Sequence, residues 1–106
     1  MEQLRVVYIT IPRDEAEKMA HEIVEKRLAA CVNLIPKITS FFWWDDAVQK
    51  DDESLLMVKT TQQRFDDLLI FVRKNHPYDL PEVIAMPLAD AFGDYVDWVK
   101  AETCAK

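Results

Sequence analysis

The side chains that could bind a metal ion are few in this sequence and widely separated. Copper and similar ions prefer thiolate, imidazole and thioether donors, and the 106 residues include two cysteines, two histidines and four methionines. The cysteines and histidines are Cys31, Cys104, His21 and His76, and no two of them stand at the short spacing of a local metal motif. The sequence therefore encodes no closed four-ligand site, but it leaves open a site that several copies of the chain build together.

Cys31 and His76 are the candidate metal ligands among these residues. Cys31 begins a predicted strand after two small residues, a context that favours a buried, inert thiol, with metal ligation as the alternative. His21 lies on a predicted helix and is interpreted as a surface residue. Cys104 falls in a C-terminal segment that is expected to fray.

A second group of polar side chains predicts a ligand cleft. Lys59 ends a predicted strand, and His76 and Tyr78 form the turn after a predicted helix. Glu82 begins the next strand, so we expect these side chains to converge at one end of a sheet, with Trp44 reaching them from a neighbouring chain. Titratable groups beside an aromatic wall are typical of ligand clefts, but a structural hydrogen-bond knot that fixes the turn explains the same residues equally well.

Catalytic motifs are missing from the sequence. It contains no GxSxG, no HExxH and no glycine-rich phosphate loop, and Gly93 is its single glycine. A thiol–imidazole pair of Cys31 and His76 would lack an orienting third group. We therefore predict that the protein is not an enzyme and uses no organic cofactor.

Charge and hydropathy exclude two classes of partner. The net charge of −6 and the pI near 4.8 argue against nucleic acid, which requires clustered basic residues. No apolar stretch approaches the ~20 residues of a membrane span. The densest acidic stretch is interpreted as a solvated hairpin end, with weak attraction of cations as the alternative; it comprises Asp45, Asp46, Asp51, Asp52 and Glu53.

The two cysteines also indicate the compartment. A disulfide scaffold of this length would contain more cysteines at closer spacing, so reduced thiols in the cytoplasm are expected. The short apolar run Leu4–Ile11 ends at Pro12, and no small-residue cleavage site follows it.

Hydrophobic periodicity predicts six main elements in the order βαββαβ. A strand over Leu4–Ile11 precedes a helix that Asp14 caps together with Glu17, and the apolar stripe of that helix reaches Leu28. Two strands follow, over 32–44 and 47–60, with a bulge or edge position at Pro36 and a turn at Asp45-Asp46.

The second half repeats the pattern of helix and strand. A capping box of Thr60 and Gln63 begins the second helix, and Asn75-His76-Pro77 ends it. The last core strand is predicted over 82–88, and Asp94 caps a short C-terminal helix. This order is typical of a ferredoxin-like split βαβ fold of the α+β class, here one domain over residues 1–106, with an antiparallel sheet, both long helices on one face and the other face bare.

The length of the hairpin predicts self-association. Residues 32–44 would extend over about 43 Å at ~3.3 Å per residue, whereas a compact chain of this size is about 33 Å across. The hairpin should therefore project and expose its four consecutive aromatic residues, Phe41-Phe42-Trp43-Trp44, a patch that a monomer rarely leaves in water. The alternative is a sharp bend at Pro36 that folds these aromatic residues back onto their own domain.

Motifs along nearly the whole chain resemble one family. They are Arg27-Leu28-Ala29-Ala30-Cys31-Val32-Asn33, Ile35-Pro36, Ile38-Thr39-Ser40, Trp44, Glu53, Lys59-Thr60-Thr61, His76-Pro77-Tyr78, Pro81-Glu82, Tyr95 and Trp98. In this order and at these spacings they resemble the CutA divalent-cation-tolerance family. Many members have Gly-Lys where this chain has Asp46-Ala47, a change that affects the turn and the charge at the hairpin tip.

The resemblance implies a function and an assembly. It implies a homotrimer in which long hairpins pair across subunits, and weak binding of a divalent cation such as copper in the response to metal ions. The competing interpretation is a sensor similar to the PII signalling proteins that binds a small molecule in inter-subunit clefts. A third is a trimeric scaffold whose unidentified protein partner binds the outer helices.

Overall fold

The structure is a computed structural model that describes residues 4–104. Its four strands form one sheet in the order β2-β3-β1-β4, and every neighbouring pair is antiparallel. The elements in chain order are β1 (Leu4–Ile11), α1 (Arg13–Glu25), β2 (Cys31–Trp44), β3 (Ala47–Thr61), α2 (Gln62–Asn75), β4 (Val83–Pro87) and α3 (Gly93–Glu102). The predicted ferredoxin-like α+β fold is confirmed, although β4 is shorter at both ends than the predicted strand.

The main core lies between the sheet and the two long helices. Alternate residues of β1 and β3 pack against apolar residues of α1 and α2, which confirms that both helices cover the same face. The fully enclosed members include Val7 and Ile9 from β1, Leu56 and Val58 from β3, Ile23 from α1, and Leu68 and Val72 from α2.

The opposite side of the sheet, here called the second face, is covered at one end only. Leu4 points to this side and forms a smaller buried cluster with Val96 and Val99 of α3. The expectation of a bare face is therefore corrected, because α3 folds across the end where β1 begins. Between this end and the buried Glu53 at the start of the arm, the face is half-buried or exposed and largely apolar: Val6, Tyr8, Thr10, Cys31, Asn33, Ile35, Leu55, Met57, Lys59, Ile84 and Met86.

Three predicted helix caps are wrong. The N-cap residues are Pro12, Thr61 and Phe92, and none makes a capping hydrogen bond through its side chain. Asp14 and Asp94 instead lie in the first turns of α1 and α3, where the helix dipole stabilises a negatively charged carboxylate. Thr60 remains in β3, facing the helices, and its hydroxyl donates a 2.7 Å hydrogen bond to the carbonyl of Leu28.

The β2–β3 hairpin projects from the domain as predicted. β1 pairs with β3 only from Ser54 to Thr61, so residues 38–53, here called the arm, continue as two strands without a third. The chain measures 44 × 27 × 22 Å, and Phe41 and Trp43 are 68% and 74% exposed. The alternative in which the aromatic residues fold back is therefore wrong.

Local backbone features shape the arm. The register shifts between Ile35 and Ile38, which confirms the predicted irregularity at Pro36. Asp45 and Asp46 form the turn with φ angles of 54° and 60°, the left-handed values that a two-residue hairpin turn requires. Within residues 4–104, no helix combines the length and the apolar character needed to cross a membrane.

Candidate functional site

A buried carboxylate lies at the root of the arm. Glu53 is only 5% exposed, and the hydroxyl of Tyr78 donates a 2.9 Å hydrogen bond to its Oε2. β1 ends at Ile11, opposite Ser54, so its backbone does not continue alongside Glu53. Tyr78, in the segment that joins α2 to β4, covers the carboxylate.

The burial of Glu53 corrects one interpretation of the acidic stretch. Asp45, Asp46, Asp51 and Asp52 are exposed as expected for a solvated hairpin end, but Glu53 is not. Side chains alternate along β3, so Glu53 occupies the same side as Leu55 and Met57. In the sequence, this alternation of Glu53 with Leu55 and Met57 was the pattern from which the burial of its carboxylate could have been predicted.

His76 anchors the same segment through both of its ring nitrogens. The backbone N–H of Tyr78 donates to Nδ1 at 3.1 Å, and Nε2 lies 2.7 Å from the carbonyl oxygen of Thr10. Because Nδ1 accepts, this network assigns the ring proton to Nε2, which donates to Thr10. His76 is 8% exposed, and its imidazole fixes the turn against the end of β1, as the structural interpretation of these residues predicts.

The electrostatics of the root favour a protonated tyrosine. Burial, the hydrogen bond to Glu53 and the charges of Glu53 and Asp51 together raise the pKa of Tyr78 to about 12. Tyr78 therefore acts as a hydrogen-bond donor at neutral pH. Among residues 4–104, no lysine, arginine or histidine nitrogen forms an ion pair with Glu53.

Lys59 and Cys31 lie at the other end of the sheet. Lys59 is opposite Val6 on one side and Cys31 on the other, whereas His76 binds Thr10, four residues further along β1. That separation corresponds to about 13 Å of strand. The predicted convergence of Lys59 with His76 and Tyr78 is therefore wrong within one chain, because α2 begins where β3 ends and returns to the opposite end.

Cys31 is half-buried on the second face, outside the main core. Its sulfur lies 4.0 Å from Oδ1 of Asn33, and neither Cys31 nor Cys104 forms a disulfide. Burial first, and then the adjacent Cys31, raises the pKa of the Tyr95 hydroxyl. Tyr95 and Trp98 of α3, with ring centroids 5.5 Å apart, thus border this end of the face.

The remaining predicted cleft residues are distributed over the chain. Glu82 is exposed just before β4, at the same end as His76, because Val83 pairs with Ile9. Trp44 lies at the arm tip opposite Ala47 and is 50% exposed. A single chain therefore gathers His76, Tyr78 and Glu82 at one end, and leaves Lys59 and Trp44 elsewhere.

The donors within residues 4–104 of one chain do not fit a metal ion. In the part of the chain that the structure describes, no three His, Cys, Asp or Glu side chains are grouped closely enough to hold one. Cys31 and His76 lie at opposite ends of the sheet, and both nitrogens of His76 are engaged.

Comparison with known proteins matches this chain over most of its length. The family described as "CutA1 divalent ion tolerance protein" matches residues 5–102. The divalent-cation tolerance protein CutA of Thermus thermophilus is 46% identical over 99 residues, which cover 92% of this chain and 96% of that protein.

Two plant proteins show similar agreement. The chloroplastic protein CutA of Arabidopsis thaliana is 46% identical over 92% of this chain, but the chain spans only 54% of that protein. The crystal structure of CutA1 from Oryza sativa superimposes with a TM-score of 0.94 at 40% identity, over 99% of this chain and 97% of that one.

Proposed function

The chain belongs to the CutA1 divalent ion tolerance family, and from this premise we propose that it is a homotrimer that weakly binds a divalent cation such as copper and contributes to the response to metal ions. The observation that supports assembly is the arm, whose aromatic side chains are 40% to 74% exposed in one chain. Exposed apolar area of this kind is normally buried against a partner.

The second face supports the same conclusion. Its centre carries Tyr8, Met57 and Met86 half-buried, and Ile84 is 50% exposed. A second copy that lies on this face and pairs with the arm would hide both surfaces and protect the free edges of β2 and β4. In a closed ring of three copies, every copy would bury these same two surfaces.

Light scattering tests the assembly. At low micromolar concentration we expect a mass near three times 12.4 kDa, both with and without a chelator. A mass of one subunit would refute the trimer. A trimer that dissociates only when the chelator is added would instead make the metal a structural component.

The metal site is proposed to use donors from more than one copy, since one chain does not hold them together. Cys31 is the better placed of the two proposed ligands, because its thiol is half-buried on the face that other copies cover. His76 would have to release the N–H of Tyr78 before its Nδ1 could bind a metal. Soft thiolate and imidazole donors suit copper.

Copper titration separates these donors. We expect Cys31→Ser to weaken copper binding and His21→Ala, which changes an exposed histidine on α1, to leave it unchanged. His76→Ala tests the second donor. Equal affinities in all four proteins would remove both Cys31 and His76 as ligands.

A second candidate function is a sensor of the PII type that binds a small molecule between subunits. The observation that favours it is the buried Glu53–Tyr78 pair at the arm root, where the exposed Glu82 and an arm from another copy could form a cleft. Tryptophan fluorescence against a panel of metabolites in metal-free buffer tests it. Saturable changes that Tyr78→Phe abolishes would support the sensor, and no change with any metabolite would refute it.

A non-catalytic role is part of the proposal. Cys31 and His76 lie at opposite ends of the sheet and so form no thiol–imidazole pair within one chain. Glu53, Tyr78 and His76 at the arm root are held in structural hydrogen bonds. Turnover of any substrate in a broad hydrolase and transferase screen, abolished by Cys31→Ser, would overturn this part.

A cytoplasmic location is also proposed. Two cysteines that form no disulfide support a reducing compartment. The chloroplastic location in the name of the Arabidopsis protein describes that protein. Fractionation of cells that express the tagged chain tests the proposal, and recovery in another compartment would refute it.

A further inference from the structure

We propose that the buried carboxylate of Glu53 in one copy pairs with the ammonium group of Lys59 in the next copy. The inference rests on the proposed trimer and identifies two charges that its subunit contacts bring together. It starts from an electrostatic imbalance at each end of the second face.

Glu53 is an incompletely satisfied charge. It is 95% removed from solvent, and its hydrogen bond from Tyr78 is the one side-chain donor found for it in residues 4–104. Withdrawing an ionised carboxylate from water is costly unless a cation or several donors compensate for it. No basic group within the described chain does so.

Lys59 presents the complementary charge. Like Glu53 it lies in β3 at an odd-numbered position, so both side chains point to the second face. The residue is half-buried, and its ammonium group takes part in no ion pair or hydrogen bond among residues 4–104. On that face, within the four-stranded part of the described sheet, it is the one basic side chain.

The two residues cannot neutralise each other within a chain. They are six positions apart in β3, which corresponds to about 20 Å, far beyond the reach of an ion pair. A ring of three copies uses head-to-tail contacts, in which two different patches of the chain meet, and in the proposed contact these patches lie at the two ends of the second face. Such a contact brings an unpaired acid and an unpaired base together three times.

The apolar surroundings favour this pairing over an exposed one. Leu55 and Met57 lie between the two charges on β3, and Val6 and Tyr8 lie beside them on β1. When a second copy covers this surface, the pair becomes desolvated, and a desolvated pair governs the lifetime of a contact more than a pair on its rim does. The charge pair therefore also determines the register in which two copies meet.

A double-mutant cycle tests the proposal. Sedimentation of wild type, Glu53→Gln, Lys59→Met and the double variant gives the subunit concentration at half dissociation. We expect each single change to raise that concentration by about thirtyfold or more, and the double change to add little to the larger single effect. Because the two positions are too distant to couple within one chain, coupling of this kind reports contact between copies.

Controls keep the result interpretable. Lys18→Met removes an exposed lysine of α1 and should leave the dissociation unchanged. Glu53→Gln keeps an acceptor for Tyr78, and circular dichroism checks that each variant is folded. If the wild type does not dissociate at accessible dilution, exchange of fluorescently labelled subunits supplies the same cycle through dissociation rates.

Three outcomes would overturn the pairing. If the wild type is a trimer and the effects of Glu53→Gln and Lys59→Met are additive, the two charges do not contact each other. That result would refute the pairing but not the proposed trimer. Assembly that is sensitive to chelator and insensitive to Lys59→Met would assign the neutralisation of Glu53 to a divalent cation. A monomeric wild type would refute the proposed trimer itself, and the pairing with it.

Discussion

The hydroxyl of Tyr78 lies 2.9 Å from the carboxylate of Glu53, a residue 25 positions earlier in the chain. This contact joins the root of the arm to the segment between α2 and β4. His76 secures the same segment to the carbonyl of Thr10. The orientation of the arm and the position of β4 are thus linked through three side chains.

Removal of the tyrosine hydroxyl should destabilise the fold. Tyr78→Phe deprives a buried carboxylate of its donor, and we expect the free energy of unfolding to fall by about 1.5–3 kcal/mol. Urea denaturation at one fixed subunit concentration measures the change. Tyr8→Phe is the control, since the Tyr8 hydroxyl makes no hydrogen bond within residues 4–104; equal losses in both variants would contradict the assignment.

Stability should decrease in strongly alkaline solution. The folded-state pKa of Tyr78 is about 12, above the ordinary value of 10.0, so the unfolded chain releases this proton first as the pH rises. The stabilising contribution is complete below pH 10 and is lost between about pH 10 and pH 12. Tyrosinate absorbance against pH should show a late component that Tyr78→Phe removes.

Glu53→Gln should separate the causes of that shift. Burial contributes most and the Glu53 hydrogen bond and charge come next, so the pKa of Tyr78 should fall in this variant but remain above its ordinary value. The same absorbance titration measures it. An unchanged titration curve would remove Glu53 as a cause.

Loss of the imidazole should destabilise the chain more than loss of the other histidine. His76→Ala removes two hydrogen bonds from a buried position, and we expect a loss of about 2 kcal/mol or more in the free energy of unfolding. His21→Ala is the matched control, because His21 is exposed and its weak 3.8 Å contact with Glu25 is on the surface. Its effect should stay within about 0.5 kcal/mol. Similar losses would contradict the anchoring role of His76.

Glycine at the arm tip should stabilise the hairpin. Asp46 has a φ of 60°, a conformation that glycine adopts without the strain of a side chain, so Asp46→Gly should raise stability by about 0.5 kcal/mol. Ala47→Gly, one residue later in β3, should instead lower it. Thermal unfolding at equal subunit concentration compares the two variants, and a loss in both would contradict the argument.

Most of the fold could be predicted because its signals are local. The apolar run of β1, the stripes of α1 and α2 and the Asp45-Asp46 turn depend on near neighbours in the chain. The helix caps were mispredicted because Asp14, Thr60 and Asp94 each match a cap pattern that a shift of one or two residues in the element boundary removes. The residue at which a strand ends depends on how far the neighbouring strand pairs with it, and a capping motif contains no information on that pairing.

Part of the candidate site could also be predicted from local signals in the sequence, and part could not. The amino-acid sequence determined that His76 and Tyr78 follow α2, that Glu82 precedes β4 and that the arm exceeds its domain in length, because these are matters of order and spacing. Only the tertiary structure decided that Glu53 is buried beneath Tyr78 while Lys59 lies at the opposite end. The physical reason is that these contacts join residues that are distant in the sequence. β1 ends opposite Ser54, and the segment after α2 brings Tyr78 to Glu53 at that end, whereas Lys59 lies near the opposite end of β3.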